Sequence, residues 1–224
     1  VVAKADVQNL YDLAVSLKTL TEARNFLTRF EAAQSYYLQC FERQSQAGHK
    51  HQANVKMARL YVSHFIQVLN FCIARGELKP SARTFYGLDE NSSKVPSLLT
   101  EQDLLQWGEK IIALVEWGRK IIDGEAKRTS QGGIPIYNPT IAKVRVHYDI
   151  FTDSYDRQKN LQALTARSLE SLSAMRTTAD ELILDIWNQV EKKFEDEKRL
   201  DLCRDYGLIY YYRTGEKRKE EVNK

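Results

Sequence analysis

The stretch 55–72 reads VKMARLYVSHFIQVLNFC and decides the fold of this chain. Its apolar side chains recur at steps of three and four residues, which is the period of one face of an α-helix. The members of this face are Val55, Ala58, Val62, Phe65, Leu69 and Cys72. Gly76 follows as a natural helix end. The stretch therefore predicts an amphipathic helix that stops near Gly76.

Apolar residues recur with the same helical period in the segment N-terminal to this helix, from about Ala5 to Ser45. Within that segment, Thr19 and Glu22 have the spacing of a capping box, in which each side chain bonds the other residue's backbone N–H. The segment is therefore either two helices or one helix with a bend. We interpret Ala47-Gly48-His49 as the turn that leads into the helix of residues 55–72.

A long connection follows over residues 79–99, where prolines, glycine and polar residues interrupt the pattern and Thr84–Leu88 is a short extended candidate. A helix then starts at Thr100, with Asp103 in capping-box position, and continues to residue 124. This helix carries a repeated dipeptide, Trp107-Gly108 and Trp117-Gly118. A mid-helix glycine costs about 1 kcal/mol relative to alanine. We therefore expect the two glycines to accept another backbone, and we name both dipeptides as candidate interface residues.

The next helix start is Asn138-Pro139, an N-cap residue followed by proline at the first helical position. This helix is expected to reach about Ala166, and another to end near Glu197. The run 208–212, Leu-Ile-Tyr-Tyr-Tyr, is β-like because aromatic and branched residues favour strands. One strand needs a partner, so its tyrosines are further interface candidates: Tyr210, Tyr211 and Tyr212.

A short internal echo links the two halves of the chain. Phe85-Tyr86-Gly87-Leu88 is followed 120 residues later by Asp205-Tyr206-Gly207-Leu208, each time after an apolar helix. The pattern would suit a duplicated helical hairpin, and chance remains the alternative.

Composition places the chain among ordinary globular proteins, with 43% hydrophobic and 28% charged residues. The 33 Lys and Arg are nearly balanced by 30 Asp and Glu, and we find no basic concentration of the kind that binds nucleic acid. Three widely spaced cysteines, Cys40, Cys72 and Cys203, fit buried free thiols in a reducing compartment. No apolar run approaches the roughly 18 residues of a membrane span. These features predict a cytoplasmic protein without membrane contact.

No pattern in the sequence predicts a catalytic, metal or cofactor site. Phosphate-binding loops, nucleophile elbows and Glu-x-x-His pairs are absent from the sequence. We interpret His64 and His147 as core or boundary histidines, and His49 and His51 as part of a polar turn. The chain is therefore expected to be no enzyme, to hold no cofactor and to have no identifiable small-molecule ligand.

From Ala179 through Trp187 to Tyr210, the chain resembles a set of uncharacterised bacterial helical-bundle proteins. The resemblance rests on ADELI at 179–183, IWNQVE at 186–191 and RDYGLIY at 204–210. It covers mainly the last quarter of the chain. It implies a helical fold and transfers no site residue, because these proteins have no assigned activity.

Together these patterns predict an all-α protein, an antiparallel up-and-down bundle of four to five long helices with a short C-terminal β-like segment. Residues 1–224 form one domain, or two helical hairpins over 5–78 and 138–200, joined by the 79–99 connection and the 100–124 helix. The leading functional expectation is a non-enzymatic protein that acts through a protein partner or as a homodimer. The alternative is a nucleic-acid-binding helical protein that uses Arg, Lys and exposed Tyr. A third is an enzyme or ligand binder whose site is assembled from distant polar residues.

Overall fold

A computed structural model describes residues 1–6, 13–112, 128–129, 134–194 and 199–211. All regular secondary structure within these ranges is helical, so the chain is an all-α protein. The α-helices are α1 (Val2–Ala5), α2 (Leu17–Ala74), α3 (Glu101–Ile112), α4 (Ile141–Ala174), α5 (Arg176–Lys193) and α6 (Arg199–Asp205). A 3₁₀ helix spans Pro80–Tyr86.

The chain divides into two compact units. Unit 1 comprises Val1–Gln39 and Ala166–Lys224, and unit 2 comprises Cys40–Thr165. Helices α2 and α4 each contribute residues to both units.

Helix α2 differs most from the sequence prediction, because it continues for 58 residues through the expected turn at Ala47-Gly48-His49. A single mid-helix glycine costs only about 1 kcal/mol, which packing can offset. A Cβ atom on residue 48 would lie 3.4 Å from Nε2 of Gln158, so the side chain of Gln158 occupies the space beside Gly48. The glycine thus accommodates a neighbouring helix and does not end α2. The predicted capping box at Thr19 and Glu22 is also wrong. Helix α2 already begins at Leu17, and the Thr19 N–H donates to Ser16 Oγ at 3.1 Å.

The core of unit 2 is formed by the apolar stripe that the sequence predicted on α2, together with the 3₁₀ helix, α3 and α4. Fully buried side chains include Val62, Phe65 and Leu69 of α2, Leu104 and Ile111 of α3, and Val144 and Phe151 of α4. Phe65 meets the ring of Tyr86 edge-on, with the ring centroids 5.2 Å apart. Helix α2 therefore supplies the largest apolar face of this unit.

The 79–99 connection is ordered by a buried arginine. Arg83 is only 3% exposed, and it donates to the side chain of Asn70 and to the carbonyls of Asp89, at 2.6 Å, and Lys94, at 3.1 Å. Burial lowers the pKa of this guanidinium. The expected extended piece at Thr84–Leu88 is wrong, because most of it belongs to the 3₁₀ helix.

Two helix starts near the middle of the chain had different outcomes. The Thr100–Asp103 capping box is confirmed: the Thr100 N–H donates to Asp103 Oδ2 at 3.2 Å, and the Asp103 N–H to Thr100 Oγ1 at 3.0 Å. The start at Asn138-Pro139 is wrong by two residues. Helix α4 begins at Ile141, and Thr140 caps it through the Lys143 N–H, so Pro139 lies in the preceding turn.

Unit 1 has a smaller core, in which Leu20 of α2 and Val190 of α5 join Cys203, Tyr206 and Leu208. Polar contacts tie the start of α2 to α5: Thr19 Oγ1 donates to Asp185 Oδ2 at 3.0 Å, and the Ser16 N–H to Gln189 Oε1 at 2.8 Å. Cys40 and Cys203 are buried free thiols as predicted, whereas Cys72 is half-buried.

The internal echo is a repeated helix end, with the same backbone geometry in each unit. Gly87 and Gly207 both have positive φ, 68° and 89°. The leucine that follows each glycine is buried, and its N–H bonds a carbonyl five residues back, at 3.1 Å for Leu88 and 3.2 Å for Leu208. This is a helix cap that glycine favours, because residues with a Cβ are strained at positive φ.

The described part of the C-terminal run, residues 208–211, forms no strand. Leu208 is buried as the last contact of the α6 cap, and the Tyr210 hydroxyl donates to Glu191 Oε1 at 2.9 Å. The aromatic run is thus anchored by side chains, and no neighbouring backbone in the described chain pairs with it. Tyr212 lies outside the described residues.

By length and composition, α2 could cross a membrane, because an 18-residue window within it has a mean hydropathy of 1.2. The expectation of a protein without membrane contact stays a prediction. Core helices of soluble proteins and signal sequences satisfy the same criterion, and 28% of the window is buried here.

Candidate functional site

His51, in the middle of α2, contacts polar side chains from two other helices of unit 2. Its Nδ1 lies 2.9 Å from Ser154 Oγ of α4, and its Nε2 lies 3.1 Å from Glu101 Oε1 of α3. The imidazole side chain is 5% exposed, while that of Glu101 is 44% exposed. His51 is therefore a buried polar residue whose two ring nitrogens both have partners, as burial requires.

Local sequence explains how this cluster forms. The Thr100–Asp103 capping box starts α3 at Glu101, which fixes the carboxylate in the first turn of that helix. Because α2 continues past Gly48, His51 lies on the buried side of a helix and not in a turn. The rings of Phe151 and Tyr155 flank the imidazole, with centroids 5.9 and 6.2 Å away.

The hydrogen-bond directions determine what this cluster can do chemically. The Ser154 hydroxyl donates to the Phe151 carbonyl at 2.9 Å, so towards His51 it acts as an acceptor. The Glu101 carboxylate also accepts. The cluster thus ties α2, α3 and α4 through the two ring nitrogens of His51.

Serine, histidine and a carboxylate are also the residue types of acyl-transfer relays. Such chemistry needs backbone or side-chain donors aimed at a developing oxyanion beside the nucleophile. Ser154 lies inside α4, where the backbone N–H groups bond along the helix. The geometry therefore favours a structural tie between helices over nucleophilic catalysis.

Beside this cluster, a groove of about 600 Å³ lies between α2 and α4. Its lining residues are Arg43, Gln46, Ala47, Lys50, Asn54, Ile150, Asp153, Ser154, Arg157 and Leu161. Ser154 therefore belongs both to the groove wall and to the His51 cluster. The charged side chains of this lining are mainly of one sign, because Arg43, Lys50 and Arg157 face a single carboxylate, Asp153.

The sequence-predicted interface residues of α3 make contacts inside unit 2. Gly108 is buried, and a methyl group there would overlap Cδ2 and Cε2 of Tyr148. The expected approach of another backbone is thus wrong at Gly108, because an aromatic side chain takes the space. Trp107 packs partly against the core, with the Lys110 ammonium 4.4 Å from its ring centroid.

Tyr148 is held in this position by its hydroxyl, which donates to the Leu105 carbonyl at 2.8 Å. Burial raises the pKa of the Tyr148 phenol to about 12. Of the remaining predicted residues, Tyr210 is half-buried and Tyr211 is 83% exposed, whereas Trp117, Gly118 and Tyr212 lie outside the described residues.

The other histidines are surface or boundary residues. His64 is exposed on α2, and His147 of α4 stacks on Tyr61 with ring centroids 3.9 Å apart. Within the ranges that the structure describes, no group of three or more His, Cys, Asp or Glu could hold a metal ion.

Sequence reasoning missed two features of this region, and only one of them had a signal in the sequence. Residues 43–75 contain five Lys and Arg but neither Asp nor Glu, so a basic concentration was visible in the sequence. The His51 cluster had no local signal, since its partners lie 50 and 103 residues away.

Comparison of the chain with family models, with curated proteins and with solved structures gives no match.

Proposed function

We propose that this chain is a non-enzymatic helical protein that acts through protein–protein contacts, and that it self-associates through the exposed face of α2 in unit 2. The observation that carries the proposal is a second apolar stripe on α2, opposite the core-facing one. This outward stripe consists of Ala53, Met57, Leu60, His64, Gln67, Phe71 and Ala74.

The spacing of the outward stripe is that of a helix–helix seam. Its members follow one another at alternating steps of four and three residues, which is the a/d pattern of a coiled coil. The three large apolar members are accessible, with Met57 40%, Leu60 55% and Phe71 61% exposed. A helix that is apolar on two opposite faces has one face left for a partner.

The order of residues along the stripe favours a second copy of the same chain as that partner. The centre of the stripe lies between His64 and Gln67. From there the residues are polar, apolar and apolar in both directions along the helix, so the stripe is self-complementary in an antiparallel pair. The resulting pairs are His64 with Gln67, Leu60 with Phe71, and Met57 with Ala74, each residue facing the other on the second copy. An antiparallel pair repeats every contact by two-fold symmetry, as in the common isologous dimer.

Charge supports the same register. Residues 43–75 carry no acidic side chain, so a poorly matched self-pairing would place cation against cation. In an antiparallel pair, the residues that flank the seam on one side face the residues that flank it on the corresponding side of the second copy. Lys56 therefore faces Asn70 of the second copy, and Arg75 faces Asn54. The central His64 and Gln67 are polar seam positions, and such positions fix register in coiled coils at some cost in stability.

Size-exclusion chromatography with light scattering tests this proposal. The wild-type chain is expected at about twice 26.0 kDa, and the Leu60→Glu variant at the monomer mass. Leu184→Glu on α5 is the matched control, since Leu184 is 58% exposed, and it should leave the mass of the dimer unchanged. A monomeric wild type, or a dimeric Leu60→Glu variant with an unchanged helical spectrum, would contradict the proposal.

Binding of nucleic acid is the second candidate, and the acid-free segment 43–75 is the observation that favours it. Phosphate contacts make such binding strongly salt-dependent. Retention of the wild-type chain on DNA or RNA at low salt, lost in Lys50→Gln and Lys56→Gln variants, would support it. No retention at low salt would remove it.

Three sequence expectations remain part of the proposal: a cytoplasmic location, an antiparallel up-and-down arrangement of the long helices, and the absence of enzymatic activity. The exposed Tyr211 stays a candidate contact residue. Recruitment of the wild-type monomer to lipid vesicles through Leu60 and Phe71 would contradict the cytoplasmic part, because lipid would then occupy the outward stripe.

A further inference from the structure

The groove between α2 and α4 in unit 2 has the size and chemistry of a small-molecule site. Its volume of about 600 Å³ lies within the range of ligand pockets, roughly 300 to 1,000 Å³. Ala47, Ile150 and Leu161 give it an apolar wall, and Ile150 is 45% exposed there. Polar groups from both helices complete the lining.

Three cations line this groove without neutralisation by the protein. Arg43 and Lys50 lie two turns apart on α2, about 10 Å along the axis, and Arg157 faces them from α4. None of the three forms an ion pair or hydrogen bond with another residue in the described parts of the chain. The Arg157 guanidinium and the Asp153 carboxylate, one turn apart on α4, do not pair either. Three like charges around one cavity repel one another, so an anion placed among them is stabilised.

One carboxylate decides what kind of anion fits. Three cations and Asp153 leave the lining with an excess of two positive charges. A phosphate monoester carries about −1.5 to −2 at neutral pH. Asp153 repels a bare anion but accepts hydrogen bonds from hydroxyl groups, and the side chains of Gln46 and Asn54 can bond the same groups.

We propose that this groove binds a small phosphate monoester that also carries several hydroxyl groups, of the sugar-phosphate class. The phosphate lies among Arg43, Lys50 and Arg157, where arginine forks can bond it in bidentate fashion. The hydroxyl groups donate to Asp153, and the apolar ring face contacts Ile150. This inference does not depend on self-association, because none of these residues belongs to the outward stripe.

Isothermal titration calorimetry at low ionic strength tests the proposal with three probes: glucose 6-phosphate, inorganic phosphate and glucose. The wild-type chain is expected to bind glucose 6-phosphate more tightly than inorganic phosphate, and glucose without detectable heat. The Arg43→Gln/Arg157→Gln variant should bind glucose 6-phosphate at least about tenfold more weakly, because it loses the charge-assisted hydrogen bonds of both guanidinium groups to the phosphate. Asp153→Asn should strengthen the binding of inorganic phosphate and reduce the preference for the sugar phosphate.

The control variant Arg167→Gln/Arg176→Gln removes the same charge from exposed positions outside the groove, and it should retain wild-type affinity. Four results would overturn the proposal: no heat with glucose 6-phosphate, equal weakening in the groove and control variants, equal affinity for glucose 6-phosphate and inorganic phosphate, or an unchanged preference in Asp153→Asn. Circular dichroism on each variant separates loss of binding from loss of fold.

Discussion

Substitution of Gly108 by alanine should destabilise unit 2, although alanine is the better helix former. At an unobstructed helix position, this change stabilises by about 1 kcal/mol. At Gly108, the added methyl group overlaps two ring carbons of Tyr148. The result therefore depends on whether the ring can move away.

The surroundings of the ring allow little movement. Tyr148 packs partly against the core, and its hydroxyl bonds the Leu105 carbonyl at 2.8 Å. Overpacking costs about 1–3 kcal/mol, and loss of that hydrogen bond about another 1 kcal/mol. After subtraction of the gain in helix propensity, we expect Gly108→Ala to lower the free energy of unfolding by about 2 kcal/mol.

Urea denaturation followed by circular dichroism measures this effect, and a double-mutant cycle assigns its cause. In a Tyr148→Ala background the methyl group has room, so Gly108→Ala should become neutral or stabilise by about 1 kcal/mol. The coupling between the two sites is then about 2–3 kcal/mol. A stabilised Gly108→Ala single variant, or a loss of stability that persists without the Tyr148 ring, would refute this reasoning.

Three further substitutions test other parts of the fold. Gly48→Ala should stabilise by up to about 1 kcal/mol in urea denaturation, because its nearest neighbour is the end of the flexible Gln158 side chain; a loss as large as that of Gly108→Ala would contradict this. Arg83→Gln should lower the unfolding free energy by about 2–4 kcal/mol in the same assay, since buried carbonyls lose their donor, and an unchanged denaturation midpoint would show that these bonds contribute little. Because the folded state raises the pKa of Tyr148 to about 12, its contribution to stability should be complete below about pH 10 and lost between about pH 10 and 12. Stability measured against pH should therefore fall less steeply over this window in Tyr148→Phe, and identical slopes would disprove the assignment.

The parts of the fold that follow from local physics were predictable from sequence. The core-facing stripe of α2, its end at Gly76 and the Thr100–Asp103 capping box depend on residues within a few turns of one another. Helix starts and turns were less predictable where distant contacts decide. Gly48 read as a turn because the sequence does not show that Gln158, more than a hundred residues later, packs beside it.

The candidate sites likewise differ in whether local sequence or distant contacts determine them. The outward stripe and the acid-free segment 43–75 are visible as patterns in one helix, but only burial shows which of the two apolar faces of α2 is exposed. The His51 cluster and the groove combine residues of α2 with residues of α4, so they arise only when the helices are placed together. Gly108 shows that a pattern can be recognised and still be assigned the wrong partner.

The most direct test of self-association uses two variants with opposite charges on the outward stripe. In the antiparallel pair, residue 60 of one copy faces residue 71 of the other, so Leu60→Glu/Phe71→Glu and Leu60→Lys/Phe71→Lys should each repel themselves. Light scattering should give the monomer mass of 26.0 kDa for each variant alone and about twice that mass for their mixture. Two variants that stay monomeric when mixed, beside a dimeric wild type, would contradict the antiparallel register, and a monomeric wild type would contradict self-association itself.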